Sequence, residues 1–536
     1  MGRTEVHVAG RALDWGGDLI AGDPVGYHAR RRPTRLACID LAIGTRLTYA
    51  ELDQLVSRCC SLLIRLGVGE QARIALLGRN SVEAVVLAMA CQRLGAIFVP
   101  LNWRLVGAEL EPILQDAAPD LLVVDAEFQD TAEAIAGPVI RLPRDGTDGL
   151  LMRLASELPT ERIAPASAQR PCILLYTSGT TGRPKGVIVT CANAFYAALN
   201  FAFVGAVGPA TVALLDLPMF HTIGLVAVTR TTLTLGGTLV ISDRFVPDRS
   251  LAAMADAELG VTHYFCVPQM AAALREHPAF DGNRLSRLEA IFVGGAPVPK
   301  PLIEAWLGDG VPLVNGFGMT EAGTVIHVPV DKEAVRANPG ALGLPAPLLE
   351  VKLVDLEGHT VEDGLPGELW LKGPSLTPGY WRQPEASAAA FSDGWYRTGD
   401  LLVREPNGYY RLVDRLKDMY ISGGENVYPG EVEAVLLSHP EIAEAAVVGV
   451  PDARWGETGV AHVVLRQGST VDAATLLRFC AERLATYKRP ASIVLCAAIP
   501  RTASGKILKH ILRARFQPPT APSKAPAPVP PTWSQK

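Results

Sequence analysis

The chain is 536 residues long, nearly half apolar and one fifth charged, with 50 basic against 55 acidic side chains and a formal net charge of -5. This length exceeds one ordinary core and calls for two or more packed units, while the composition excludes a disordered or fibrous chain. The charge balance offers no broad positive field for a phosphate backbone, so nucleic acid is excluded as a partner.

Nine cysteines, with Cys59 and Cys60 adjacent and no C-x-x-C spacing, suggest neither a disulfide framework nor a zinc site and fit a reducing cytoplasm. Met1 to Asp14 lacks the apolar run of a signal peptide. The most apolar later stretches, near 194–215 and 223–241, are broken by Asn200, Pro209 or Arg230, so no membrane span is expected.

From about 72 to 126, strand-like runs such as Arg73-Ile74-Ala75-Leu76-Leu77, Ala96 to Leu101 and Leu121 to Val124 alternate with helix-period segments, and the pattern resumes between 211 and 316. Strands bounded by helices imply βαβ units, and hence a large doubly wound α/β body whose parallel strands are covered on both faces. After about 340, short strand candidates at Glu350 to Val354 and Gly367 to Leu371, separated by Gly/Pro/Asp turns, predict a small β subdomain. The main boundary is expected at 414–418, which gives a large domain over 1–414, a small mobile α+β domain over 415–516, and a Pro/Ala-rich tail over 517–536.

The sharpest local signal is Tyr176-Thr177-Ser178-Gly179-Thr180-Thr181-Gly182-Arg183-Pro184-Lys185-Gly186, which follows the strand-like Cys172 to Leu175. Glycines let backbone N–H groups converge on one point, hydroxyls add donors, and Lys185 supplies charge, so the loop suits a polyphosphate. The alternative is an ordinary surface turn. The loop is not a Walker A motif, because Lys185 lies between Pro184 and Gly186 instead of following Gly and preceding Ser or Thr.

These residues resemble the nucleotide loop of the adenylate-forming superfamily, in the branch of acyl-CoA synthetases. Further stretches extend the resemblance in the family's order: Pro218-Met219-Phe220-His221, Asn315-Gly316-Phe317-Gly318-Met319-Thr320-Glu321, and Tyr396-Arg397-Thr398-Gly399-Asp400. Asp414 to Asp418 with Ser422-Gly423-Gly424-Glu425-Asn426 is similar to the hinge region, and Pro500 to Lys506 to the C-terminal lysine loop.

The resemblance implies an enzyme that uses ATP and Mg2+ to join a carboxylic acid to coenzyme A through an acyl-adenylate. Thr177, Ser178, Gly179, Thr180, Thr181 and Lys185 would then hold the β- and γ-phosphates, Thr320 the α-phosphate, and Glu321 the magnesium ion. Ala296, Asn315, Gly316 and Phe317 would face the nucleotide, with Phe317 in a slot often held by Tyr. Asp400 suits the two ribose hydroxyls, with Arg415 beside it. Lys506 would bridge carboxylate and α-phosphate, Lys417 would be the hinge, and Gly424 would line the thiol tunnel. His221 would gate the acyl pocket, and Arg244 would meet the nucleotide phosphates of coenzyme A. Ile421 departs from the lysine that many aryl-CoA ligases carry there.

Small residues at Gly294-Gly295-Ala296 and Gly316 imply an acid bulkier than acetate: fatty, alicyclic or aromatic. His221 stands where amino-acid adenylating domains carry an Asp, which disfavours an amino-acid substrate. Loading of a separate carrier protein is the alternative to coenzyme A, and assembly as a homodimer is left open.

Overall fold

The computed structural model describes residues 23–133, 140–145, 149–160, 167–177, 184–296, 298–355, 357–422, 425–452, 454–501 and 507–516. The chain divides into two compact units, Met1–Thr398 with Leu402–Leu412, and Gly399–Leu401 with Val413–Lys536. The small unit thus takes in the Gly399–Leu401 segment as well as the C-terminal region.

Three sheets build the large unit. The first strand series falls in a six-stranded sheet ordered Ile140–Pro143, Leu121–Val124, Arg73–Leu77, Ile97–Pro100, Pro171–Thr177 and Lys185–Thr190. Its strands run parallel except for the last, which folds back antiparallel and sets Thr177 opposite Lys185. The second series falls in a nine-stranded sheet whose central parallel strands are Ala290–Val293, His263–Cys266, Val212–Leu215, Thr238–Ile241 and Leu36–Asp40. On one side Leu313–Met319 continues it, parallel to Ala290–Val293, and then Gly323–His327 turns back antiparallel.

Ile97–Pro100, Leu121–Val124, Thr238–Ile241 and Ala290–Val293 are buried at every position, as strands covered on both faces must be. Helix Val82–Leu94, with all its residues buried, packs against strands of both sheets, which explains why its sequence lacks a polar face. The predicted β subdomain is the third sheet, with Glu350–Val354 pairing Pro366–Lys372.

Helix Cys191–Val204 carries the fold into the site. Thr190 caps it, exchanging hydrogen bonds with Asn193 in a capping box. The Asn193 amide also donates to the carbonyls of Pro374 (2.9 Å) and Leu376 (2.6 Å), which clamps the β-subdomain connection to the helix start.

The small unit holds the hairpin Ile442–Asp452 and Gly456–Leu465; the free edge of Gly456–Leu465 pairs with Tyr420–Ser422, which Glu425–Val427 extends, and farther along with Ser492–Leu495. Among the described residues no helix is long and apolar enough to cross a membrane. All nine cysteines are unpaired.

Candidate active site

Thr177 and Lys185 end their two strands side by side, and Ser178, Gly179, Thr180 and Thr181 between them lie outside the described residues. Gly186 lies close under the Tyr176 ring, where a Cβ would stand 3.0 Å from it. The Tyr176 hydroxyl in turn donates to Asp116 at 2.5 Å. Sheet-like bonds from Trp381 N–H to the Gly186 carbonyl (2.7 Å) and from Ile188 N–H to the Gly379 carbonyl (3.1 Å) lay the segment 375–383 along this strand.

That segment supplies Tyr380, which the sequence reading missed. The Lys185 ammonium stands 4.8 Å from the centre of the Tyr380 ring. The Tyr380 hydroxyl donates to Glu321 Oε1 at 3.0 Å and lies 3.1 Å from the Tyr396 hydroxyl. Thr377 N–H bonds the Glu321 carbonyl at 2.7 Å, fixing the backbone that presents the carboxylate. Burial first, and then the Glu321 charge, hold both phenols above their ordinary pKa, so they stay protonated. Only Gly379-Tyr380 in a Gly/Pro-rich turn could have signalled this residue, and such turns are common on surfaces.

Glu321 and Thr320 line a cleft together with Asn193, Ala197, Thr222, Val226 and Gly323. Its walls mix polar side chains with the apolar Ala197 and Val226, and Lys185 stands beyond them over the Tyr380 ring. His221, next to Thr222, leads into Ile223–Arg230, a π-helical segment of the kind often found at functional sites. Its ring lies 4.5 Å from that of Phe220. Gly294 follows strand Ala290–Val293, Gly316 follows the stretch of Leu313–Met319 that pairs with it, and a Cβ on Gly294 would reach the Gly316 carbonyl at 3.0 Å. Gly295, at φ +84°, needs glycine for its backbone, and half-buried Ala296 follows it.

The remaining sites predicted in this unit separate by role. The Asn315 side chain is buried and donates to the Ala341 carbonyl at 2.8 Å, which anchors the strand end. Phe317 packs against the hydrophobic cluster of the β subdomain. Arg244 is half exposed and paired with Asp243 at 3.2 Å, which also binds Arg249 at 2.7 Å. Nearby, the guanidinium groups of Arg79 (4.4 Å) and Arg104 (4.5 Å) both stand over the Trp103 ring. Burial, and then the like charge of Arg79, lower the Arg104 pKa.

In the small unit, Asp400 is buried and pairs with Arg415 at 3.3 Å, and Leu416 N–H bonds the Gly399 carbonyl at 2.8 Å. This pairing joins two motifs predicted to serve one nucleotide. Lys417 follows, exposed. Gly424 and Lys506 lie outside the described residues, as does the tail. Beyond the lysine loop, helix Lys509–Ala514 is anchored by Lys509, whose ammonium binds Glu433 at 2.9 Å.

Among the described residues no group of three His, Cys, Asp or Glu side chains gathers as a metal cage. Glu321 with its neighbouring hydroxyls is an oxygen-only donor set, which suits a magnesium ion shared with a bound triphosphate.

Known proteins resemble the chain over most of its length. Residues 26–381 match the AMP-binding enzyme family and residues 431–506 its C-terminal domain. A feruloyl-CoA synthase from an Amycolatopsis species is 40% identical over 88% of this chain and 94% of its own. An indoleacetate–CoA ligase from Aromatoleum aromaticum is 37% identical over 87% and 92%. The structure of o-succinylbenzoate CoA synthetase from Bacillus subtilis, in complex with its acyl-adenylate intermediate, superposes with a TM-score of 0.82 at 32% identity, over 92% of this chain and 98% of that one. The chain therefore belongs to the AMP-binding enzyme family, as an acyl-CoA synthetase that uses ATP, Mg2+ and coenzyme A to carry a carboxylic acid through an acyl-adenylate to its thioester.

Proposed function

We propose that the acid is a bulky aromatic or arylalkanoic one. The observation that carries this is the cleft beside Glu321 and Thr320, whose other walls include Ile188, Ala197, Val226 and Gly323, apolar or small residues that suit an apolar acyl group. The feruloyl and indoleacetate relatives act on acids of that shape.

Activation requires the carboxylate to attack the α-phosphorus while charge builds on the departing pyrophosphate, so fixed positive charge and donors do most of the work. Thr177, Lys185 and the intervening loop hold the β- and γ-phosphates. Thr320 donates to the α-phosphate. Glu321, oriented by Tyr380, would hold magnesium, which supplies charge neutralisation when bound. Asp400 accepts from the ribose hydroxyls, with its own charge balanced by Arg415. Lys506 bridges the reacting groups in the first half-reaction; the 415–516 domain then turns about Lys417 and presents Gly424 to the thiol. His221 closes the acyl pocket.

The acceptor reading draws support from the basic face. Arg79, Arg104, Arg244 and Arg249 outnumber Glu127 and Asp243 around Trp103, a composition suited to an adenine nucleotide bearing several phosphates. Pyrophosphate release across a panel of carboxylic acids, followed by transfer to coenzyme A or to a holo-carrier protein, tests the whole reading. Preference for acetate over every aromatic acid would overturn the acid class, and transfer to the carrier alone would overturn the acceptor.

A further inference from the structure

The cleft beside Glu321 runs between helix Cys191–Val204 and strand Gly323–His327. Ala197 sits against Gly323 closely enough that a Cβ on the glycine would approach the alanine Cβ to 2.6 Å. One helical turn farther on, the Phe201 ring stands 6.4 Å from the His327 ring. The helix stripe Ala197, Asn200, Phe201 therefore follows the strand away from Glu321, reaching His327 roughly 13 Å along it.

Two buried polar atoms at that remote end have no hydrogen-bond partner among the described residues: Asn200 Nδ2 and His327 Nε2, on side chains 0% and 3% exposed. Their chemistry is fixed by what their other atoms do. Leu348 N–H can only donate, so the amide atom that meets it at 3.0 Å is Asn200 Oδ1, and Nδ2 presents N–H groups. The Val328 carbonyl can only accept, so the ring atom 2.7 Å from it is a protonated Nδ1, and His327 Nε2 presents a lone pair. Burial lowers the His327 pKa to about 4, which keeps the ring neutral. His327 pairs across the strands with Gly316, and a Cβ on Gly316 would stand 2.9 Å from Nε2. The missing side chain makes room for the ring, whose Nε2 edge lies against the Gly316 strand.

A buried donor and a buried acceptor left unpaired are costly unless a ligand satisfies them. Building on the aromatic-acid reading, we infer that Asn200 and His327 form a polar terminus of the acyl pocket for a hydroxyl on the end of the acid remote from its carboxylate. A hydroxyl both donates, to His327 Nε2, and accepts, from Asn200 Nδ2. Hydrogen in its place leaves both unpaired, and a methyl ether can only accept.

The test compares kcat/KM for pyrophosphate release with one aromatic acid bearing hydrogen, hydroxyl or methoxyl at its remote end. The hydroxy acid is expected to exceed each of the other two by at least about tenfold, one net hydrogen bond being worth roughly that factor. In His327→Phe this preference should collapse toward unity, and His327→Gln, which restores an acceptor, should recover part of it. A merely structural role would lower all three acids in proportion and leave the ratios unmoved, which would overturn the assignment. Equal rates for the hydroxy and hydrogen acids in the wild-type enzyme would overturn it without any variant. Activity confined to acids without an aromatic ring would instead overturn the substrate class on which it rests.

Discussion

The two ends of the large unit's cleft differ in how completely they satisfy themselves. At the nucleotide end, Glu321, Tyr380 and Tyr396 bond one another, Thr377 holds the Glu321 backbone, and Lys185 lies over the Tyr380 ring. At the proposed acyl end, Asn200 and His327 are each held by one backbone group and keep a second polar atom in reserve. A site for a molecule common to every turnover gains from being assembled in advance. A site that must choose among acids gains from groups that only the right acid completes, because an unpaired buried atom penalises the wrong one.

The largest effect should come from the nucleotide end and be blind to the acid. Lys506→Ala is expected to lower the rate of adenylation by about 10²–10³, the loss typical of one charge-stabilising donor at a reacting centre. Thioester formation from a supplied acyl-adenylate should be largely spared, since the role proposed for the lysine lies in the first half-reaction alone. Measuring the halves separately checks it; equal losses in both would contradict an exchange of faces by the small domain.

A smaller effect concerns stability at the acyl end. The His327 pKa of about 4 lies below the ordinary 6.5, so between these values the unfolded chain binds more protons than the folded one. The contribution is fully present above pH 6.5 and is lost as pH falls toward 4, amounting to about 2–3 kcal/mol between pH 7 and pH 4.5. Urea unfolding at the two pH values should show that His327→Phe loses this part of the wild-type decline. An unchanged decline would mean that the ring is not buried as described.

Next comes Asp400, whose replacement by Ala should weaken ATP binding by about 1.5–3 kcal/mol if it makes charge-assisted bonds to the ribose. The Arg415 pair sets the lower end of that range, because removing Asp400 also frees a cation that can turn to the phosphates. Titration calorimetry with ATP gives the value, and wild-type affinity would remove the ribose assignment.

What could be read from the sequence follows the same division. The nucleotide end is written in contiguous motifs, so the loop at 176–186 and the stretch 315–321 could be recognised where they stand, and the alternation of strands and helices gave the α/β class. Tyr380 could not be foreseen, because its partners Lys185 and Glu321 lie far off in the chain and only the strand-like bonds to Gly186 and Ile188 bring it in. Asn315, read as facing the nucleotide, turns its side chain to the Ala341 carbonyl, a partner set by tertiary packing. Asn200 read only as a polar break in an apolar stretch, and His327 sits in an apolar run. That each keeps an unpaired atom is a property of the folded surroundings, which no local pattern encodes.

The last prediction joins the two ends. Tyr380→Phe removes the donor to Glu321 while leaving the ring under Lys185, so the carboxylate loses one orienting bond and little packing. Adenylation should fall by roughly tenfold, about 1–2 kcal/mol, and by the same factor for the hydroxy, methoxy and hydrogen acids. His327→Phe should do the opposite, changing the ratio among acids. Among the described residues the two side chains share no hydrogen-bond partner, and groups without a shared partner normally act additively, so the double variant should show the product of the two effects to within about 0.5 kcal/mol. A larger coupling, measured in a kcat/KM cycle with the hydroxy acid, would mean that the acyl terminus helps to align the carboxylate for attack, and the separation between a ready-made nucleotide end and a selective acyl end would have to be replaced by one continuous network along strand Gly323–His327.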